Sequence, residues 1–290
     1  MSRKTEKKRR MSAGRILDTG MTYLILFAVA FVFFFPCLWL ILASFSKSGT
    51  IYSFDGFFPA GYSLASFKRL FTDTALYNYP RWFANTLFVA AGSCILGTFL
   101  VILTAYTMSR FTFAARKPMM KITMVLGMFP SFMGMIAVYL LMTQFNLINH
   151  LWGLILIYSA GAPMGYLTQK GFFDTIPKAI DEAARIDGSK EWHTFNRIIL
   201  PIMKPALAVQ AIFTFVGSWN NYFVPALILQ TKSKMTVPIL IATLRGADYM
   251  NFDMGKVYMM ITVAIVPIIV VYLLLSKYII AGVTLGGVKE

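Results

Sequence analysis

Apolar positions in this chain do not alternate with polar ones; they run on uninterrupted. Six stretches contain no Asp, Glu, Lys or Arg: residues 22–45, 85–109, 122–145, 151–169, 205–230 and 257–276. A bilayer core takes roughly twenty apolar residues as a helix, and a helix satisfies its own backbone in lipid. The pattern therefore predicts an all-α integral membrane protein with six transmembrane helices. The pieces between the runs are short, the longest being 46–84. None is large enough for an independent catalytic or nucleotide-binding domain. The expected organisation is a basic tail over 1–20, a six-helix membrane domain over 21–282 with a large loop at 170–204, and a tail over 283–290.

Composition agrees with that pattern. Hydrophobic residues make up 58% and charged residues 13%, where a soluble domain carries about a quarter charged. Net charge is +15, and its placement matters more than its size. The start MSRKTEKKRR and the loops after the second and fourth runs hold most of the Lys and Arg residues. By the positive-inside bias both termini are cytoplasmic. The basic start reads as an anchor on the anionic leaflet and not as a nucleic-acid arm. The first run is too long for the core of a secretory signal and lacks a small-residue cleavage site, so it is expected to be retained. Cys37 and Cys94 lie inside apolar runs, which leaves no disulfide framework or metal pattern.

No run carries an ionisable acid or base. Proton- and ion-driven carriers generally need Asp, Glu or His there, so the energy source is expected outside the chain. The fifth run carries a polar stripe, Gln210, Thr214, Ser218 and Asn221, at helical spacing, flanked by Trp219, Asn220 and Tyr222. Two readings stay open. The stripe either joins its helix to neighbours through hydrogen bonds, or lines a hydrophilic passage where Trp219 or Tyr222 stacks on a sugar ring. Thr214, Ser218, Trp219, Asn220, Asn221 and Tyr222 are the substrate-path candidates. Pro36 is expected to kink the first span, and Pro130 with Gly127 the third. His150 reads as a polar cap at an outer mouth.

The loop 170–204 reads KGFFDTIPKAIDEAARIDGSKEWHTFNRIILPIMK. Pro177 suits a first helical turn, with Thr175 as a possible cap. Ala179, Ala183 and Ile186 would share one face, and Lys178, Asp181 and Arg185 the other. Gly188 ends this helix, Ser189 can cap a second running to about Leu200, and Pro201 and Pro205 stop that one. Two short helices joined at a glycine beneath the membrane suit docking on a cytoplasmic partner.

Glu182-Ala183-Ala184, then Gly188, then Ile198, Leu200 and Pro201 resemble the EAA loop of ABC-importer permeases at every fixed position. Asn149 with Leu151–Leu156, Gly171-Phe172-Phe173, Trp219-Asn220 and the ending from Gly282 to Lys289 are similar to the maltose-type carbohydrate branch. The resemblance implies a permease of the bacterial cytoplasmic membrane that crosses the bilayer several times. It implies a second homologous permease, two cytoplasmic ATP-binding subunits docked under the EAA loops, and an extracytoplasmic solute-binding protein as partners. ATP and Mg would be held by the ATPase subunits, with no cofactor in this chain. The coupling residues are then Glu182, Ala183, Ala184, Asp187, Gly188, Ile198, Leu200 and Pro201. Glu182 would hydrogen-bond at the joint or cap its own helix, Gly188 would set the bend, and Ala183 and Ala184 would make the close contact. The implied cargo is a sugar, with oligosaccharides favoured.

Rival classes are weaker. A stand-alone carrier lacks coupling residues in the membrane. A membrane enzyme needs a nucleophile with a base or a metal cluster, and only His150 and His193 occur, far apart in topology. No G-x-x-x-x-G-K-[ST] loop exists, so this polypeptide does not hydrolyse ATP itself. A permease for another solute class is opposed only by the carbohydrate-like segments.

Overall fold

The computed structural model describes residues 13–47, 57–74, 77–160, 163–245 and 254–287. The basic start and the final residues 288–290 lie outside them. The described chain is helical. In order, the helices are α1 (Ala13–Ser44), α2 (Ala65–Thr72), α3 (Tyr79–Arg110), α4 (Arg116–Gly127), α5 (Met135–Gln144), α6 (Leu151–Ala160), α7 (Pro163–Thr175), α8 (Lys178–Ile186), α9 (Glu191–His193), α10 (Leu200–Ile202), α11 (Lys204–Trp219), α12 (Phe223–Ile228), α13 (Val237–Arg245) and α14 (Met254–Gly287). A π-helical segment, Thr194–Ile199, joins α9 to α10. The β pairing among the described residues is a single bridge between Ser46 and Tyr62.

Among the described residues, three helices are long and apolar enough to cross a membrane unbroken: Asp18–Ser44, Tyr79–Arg110 and Met254–Ile279. They match the first, second and sixth charge-free runs. The remaining candidates are bent pairs: Arg116–Gly127 with Phe132–Gln144 at 98°, Leu151–Ala160 with Gly165–Thr175 at 49°, and Glu191–Ile202 with Lys204–Trp219 at 82°. The third run thus breaks where a kink was expected. Pro130 has no N–H and disfavours helix at the residue before it, in keeping with α4 ending at Gly127 before a 3₁₀ turn at Ser131–Gly134 restarts the chain. The fifth run was expected as one helix and is two, since α11 stops at Trp219 and α12 starts at Phe223. In contrast, α1 runs through Pro36 and α14 through Pro267.

Helix also extends past the expected tail boundaries. α1 begins at Ala13, inside the stretch assigned to the basic tail, and α14 reaches Gly287. Hydropathy marks where apolar residues stop, whereas backbone hydrogen bonds continue into the polar zone until a breaker is met. For the same reason α7 runs to Thr175 and takes the first residues of the presumed 170–204 loop.

The chain divides into two compact units. One comprises residues up to Arg69 with Tyr249–Thr262. In it the Trp39 indole donates to the Phe57 carbonyl at 2.7 Å, and Trp39 meets Tyr258 edge-on at 5.7 Å. The other comprises Leu70–Asp248 and Val263–Glu290. Here α3 packs along α6, α7 and α11. Small residues permit that approach: a Cβ on Gly97 would lie 3.3 Å from Thr214, and one on Gly165 3.3 Å from Gln210. The core at one end gathers Ile102, Tyr106, Phe173, Phe195, Ile199 and Met203.

Candidate functional site

The loop between α7 and α11 builds a joint out of local rules. Pro177 precedes α8 with φ −57° and ψ 132°, and Asp181 in the first turn and Arg185 in the last complement the helix dipole. Gly188 then adopts φ +79°, a conformation that L side chains rarely take. Its N–H donates to the Arg185 carbonyl at 3.0 Å, and the Ser189 N–H donates to the Ala184 carbonyl at 2.9 Å. This pair of bonds is the Schellman arrangement, which turns the chain sharply while satisfying the helix end. Arg185 stitches the two arms together, its Nη2 and Nε donating to Glu191 Oε1 at 2.6 and 3.0 Å. Thr194 Oγ1 donates to Ser189 Oγ at 2.9 Å across the same turn.

The second arm is irregular for a stated reason. Pro201 cannot donate to the Arg197 carbonyl four residues back, and the Leu200 N–H reaches past it to Phe195, giving the π segment. Beneath the joint, Phe195 packs 4.7 Å from the Tyr106 ring, and Tyr106 meets Phe173 at 5.7 Å. Arg110 Nε lies 3.1 Å from Asp181 Oδ2, with side-chain exposures of 7% and 14%. Arg110 Nη2 also donates to the Ile176 carbonyl at 3.0 Å, and Ser109 Oγ donates to Asp174 Oδ1 at 2.6 Å.

Half of the sequence-derived coupling residues meet at the joint. Ala184, Asp187, Gly188 and Ile198 line one recess of about 490 Å³ together with Ser189 and His193. Ala184 is buried and Ala183 exposed, so only one of the two alanines packs inward. Glu182 is exposed and, among the described residues, makes no hydrogen bond or ion pair; it lines a smaller cavity beside Arg110 and Asp181. Leu200 is half-buried against the core and Pro201 is exposed.

Two local expectations are corrected. Thr175 does not cap α8; its hydroxyl donates back to the Phe172 carbonyl at 2.7 Å and closes α7. Lys190, not Ser189, occupies the N-cap of the second arm. Lys178, Asp181 and Arg185 do share a face and line one cavity, where the Asp181 carboxylate meets Arg110. The face with Ala179, Ala183 and Ile186 is the exposed one, and Ile186 is 87% exposed. Periodicity placed the apolar residues together correctly but could not say which side the core would take.

The polar stripe is hydrogen-bonded mainly along its own helix. Gln210 Nε2 donates to Thr214 Oγ1 at 3.1 Å, Thr214 Oγ1 to the Gln210 carbonyl at 2.9 Å, and Ser218 Oγ to the Thr214 carbonyl at 2.8 Å. Gln169 of α7, 1% exposed, donates to the Ala206 carbonyl at 3.2 Å. Trp219 is 2% exposed, stacks with Phe215 at 5.5 Å and donates its indole N–H to the Ala264 carbonyl at 3.1 Å. Only the break after α11 faces outward. Asn220 and Tyr222 are exposed, and Asn221 Oδ1 accepts the Val224 N–H at 3.0 Å, opening α12.

Sequence reasoning missed a second cluster, around the segment between α12 and α13. Asn149 has φ +61°. Its Oδ1 accepts the Gln230 and Thr231 N–H groups at 3.1 Å each, and its Nδ2 donates to Thr231 Oγ1 at 2.7 Å. Lys234 Nζ donates to the Asn149 carbonyl at 2.7 Å. At the start of α3, Arg81 and Asn85 donate to the Ser233 carbonyl at 3.1 and 2.9 Å, and Thr86 Oγ1 accepts the Val237 N–H at 2.9 Å. The signal for Asn149 was an amide in a short turn between apolar runs, which tolerates positive φ. Its partners are about eighty residues away, and no spacing rule connects them. Among the described residues no three His, Cys, Asp or Glu side chains cluster as a metal site.

A family model described as the binding-protein-dependent transport system inner membrane component matches residues 97–284. The chain is 34% identical over 288 residues to the galactooligosaccharides transport system permease protein of Bacillus subtilis, covering 96% of this chain and 98% of the relative. It is 31% identical over 280 residues to the maltodextrin transport system permease protein of Streptococcus pneumoniae, covering 95% and 97%. A chain in the crystal structure of a bacterial ABC transporter involved in the import of the acidic polysaccharide alginate superposes with a TM-score of 0.78 at 20% identity, over 93% of this chain and 99% of that one. At that identity the likeness shows the fold.

Proposed function

The chain belongs to the family of binding-protein-dependent transport system inner membrane components, which are multi-pass transport subunits and not enzymes, and on that premise we propose that it is one permease half of an ATP-driven importer of oligosaccharides in the bacterial cytoplasmic membrane. The sugar assignment is supported by relatives that carry galactooligosaccharides and maltodextrin in their names.

In this reading six spans cross the bilayer with both termini inside. The three unbroken helices and the bent pairs supply them, with α11 and α12 forming a broken fifth span. The 82° turn at Met203 supports an inner loop that leaves the direction of that span. The observation that carries the coupling role is the exposed apolar face of α8 beside the Gly188 joint. Ile186 is 87% exposed and Trp192, past the joint, 61%. Large apolar groups held outward on a polar loop mark a protein contact. ATP-binding subunits receive this face, with the recess at Gly188 beside it; a second permease completes the pathway, and a solute-binding protein delivers cargo outside. Asn220, Asn221 and Tyr222, at the helix break, are the residues that meet sugar. Thr214, Ser218 and Trp219 hold the wall behind them.

The test is reconstitution. The chain should co-purify with soluble ATPase subunits through a contact that Ile186→Asp removes. Proteoliposomes of the full assembly should accumulate labelled oligosaccharide only with ATP and binding protein. Accumulation driven by this chain alone would overturn the proposal.

A further inference from the structure

We propose that α3 receives the motion of the coupling loop directly, through an Arg110–Asp181 contact backed by Tyr106, and carries it to the segment between α12 and α13. The inference rests on the coupling role proposed above and adds the route by which force leaves the loop. Covalently, the loop is attached only to α7 and α11, so the obvious route runs along the chain. The contacts supply another.

Of the charged residues on α8, Lys178, Glu182 and Arg185 are exposed and Asp181 alone turns inward. It meets Arg110, the last residue of α3, 3.1 Å away. The same guanidinium holds the Ile176 carbonyl just before α8. One turn back along α3, Tyr106 lies 4.7 Å from Phe195 of the second arm. Two side chains of one helix, four residues apart and therefore on one face, thus grip both arms on either side of the Gly188 joint.

The contact is close but not locked. Arg110 Nε, Asp181 Oδ2 and the Tyr106 hydroxyl are each buried without a hydrogen-bond partner. They surround a cavity of about 80 Å³ that Glu182 and Glu191 also line. A pair in Coulomb contact but off hydrogen-bond alignment can gain bonds when α8 shifts, so loop position and pair geometry are linked. From Arg110, α3 runs unbroken through 32 residues to Tyr79, a rigid rod of about 48 Å at 1.5 Å per residue. At its far end Asn85 and Thr86 hold the 233–237 segment.

The experiment uses the full transporter in proteoliposomes and reads three quantities: co-purified ATPase subunits, binding-protein-stimulated ATP hydrolysis, and solute imported per ATP. Asp181→Asn should retain the subunits and the hydrolysis while solute per ATP falls about five- to tenfold, the lower range of coupling between distant sites. The reversed pair Arg110→Asp with Asp181→Arg should recover most of it. Asn85→Ala should also lower the ratio, and less than additively with Asp181→Asn. Arg110→Lys, which keeps the charge but cannot hold Asp181 and the Ile176 carbonyl together, is the variant to read if Asp181→Asn fails to accumulate. It should lower the ratio with normal co-purification. An unchanged ratio in the accumulating variant, or full additivity with Asn85→Ala, overturns the proposal. Failure of the coupling role itself looks different: Ile186→Asp would then leave co-purification and transport intact.

Discussion

Gly188 offers the sharpest perturbation, because conformation and space can be separated there. A Cβ at this position would meet no heavy atom within 4 Å, so sterics with neighbours contribute nothing. The cost of a substitution comes from φ +79° alone. Holding a residue with a Cβ in that region costs about 1–2 kcal/mol, less for Asn. Proline is locked near −65°, removes the N–H that reaches the Arg185 carbonyl, and disfavours the φ −71°, ψ 2° conformation of Asp187 before it. The Ser189 N–H bond to Ala184 is lost with the turn. At about 1 kcal/mol per bond plus the backbone mismatch, Gly188→Pro should cost the joint about 3 kcal/mol or more. ATP-dependent sugar uptake in proteoliposomes should therefore fall in the order glycine, Asn, Ala, Pro. The proline variant should be inserted yet lose uptake by more than a hundredfold, since 1.4 kcal/mol is about tenfold. Wild-type uptake and ATPase stimulation in Gly188→Pro would refute the hinge. Equal damage from Asn and Pro would refute the conformational argument and point to a need for close approach.

Other substitutions test the division between wall and path. Trp219→Ala should lower thermal stability in detergent by about 3–5 kcal/mol, as for a buried large aromatic, while Tyr222→Ala, on an exposed side chain, should leave melting unchanged and reduce sugar uptake. An unchanged melt for Trp219→Ala would refute its packing role. Asn149→Ala removes three side-chain hydrogen bonds and strains φ +61°, and should cost about 2–4 kcal/mol by thermal melting; Asn149→Gly keeps the conformation and should cost less. Gly153→Ala would place a Cβ 2.7 Å from the Leu147 carbonyl, which is backbone, whereas Gly92→Ala meets side-chain atoms of buried Ile155, Cδ1 at 2.6 Å and Cγ1 at 3.2 Å. Both should destabilise, the first more because backbone yields less than a side chain; the reverse order would refute the packing described at α6.

How legible was the site? Gly188 was readable because its role is local. A glycine that ends an amphipathic segment predicts a left-handed turn, and the Schellman bonds at Ala184 and Arg185 follow. Pro201 accounts for the π segment before it. Asp181 was readable as sharing a face of α8 with Lys178 and Arg185, but only the position of Arg110 selects it for the ion pair. The stripe of Gln210, Thr214 and Ser218 was readable as one face. Its meaning depended on Gly97 and Gly165 across the helix contact.

The amino-acid sequence by itself determined that this is a helical membrane protein, where its long apolar helices lie, and that a glycine joint interrupts the segment 170–204. Those properties depend on hydropathy, charge placement and backbone preference, all carried by neighbouring residues. Only the tertiary structure decided that Trp219 is buried against Phe215 and the Ala264 carbonyl, that the fifth apolar run breaks after it, and that Arg110 and Asn149 tie distant segments together. These are contacts between residues about 45 to 80 positions apart. The free energy of such contacts resides in the packed pair, and neither partner carries a local mark of it.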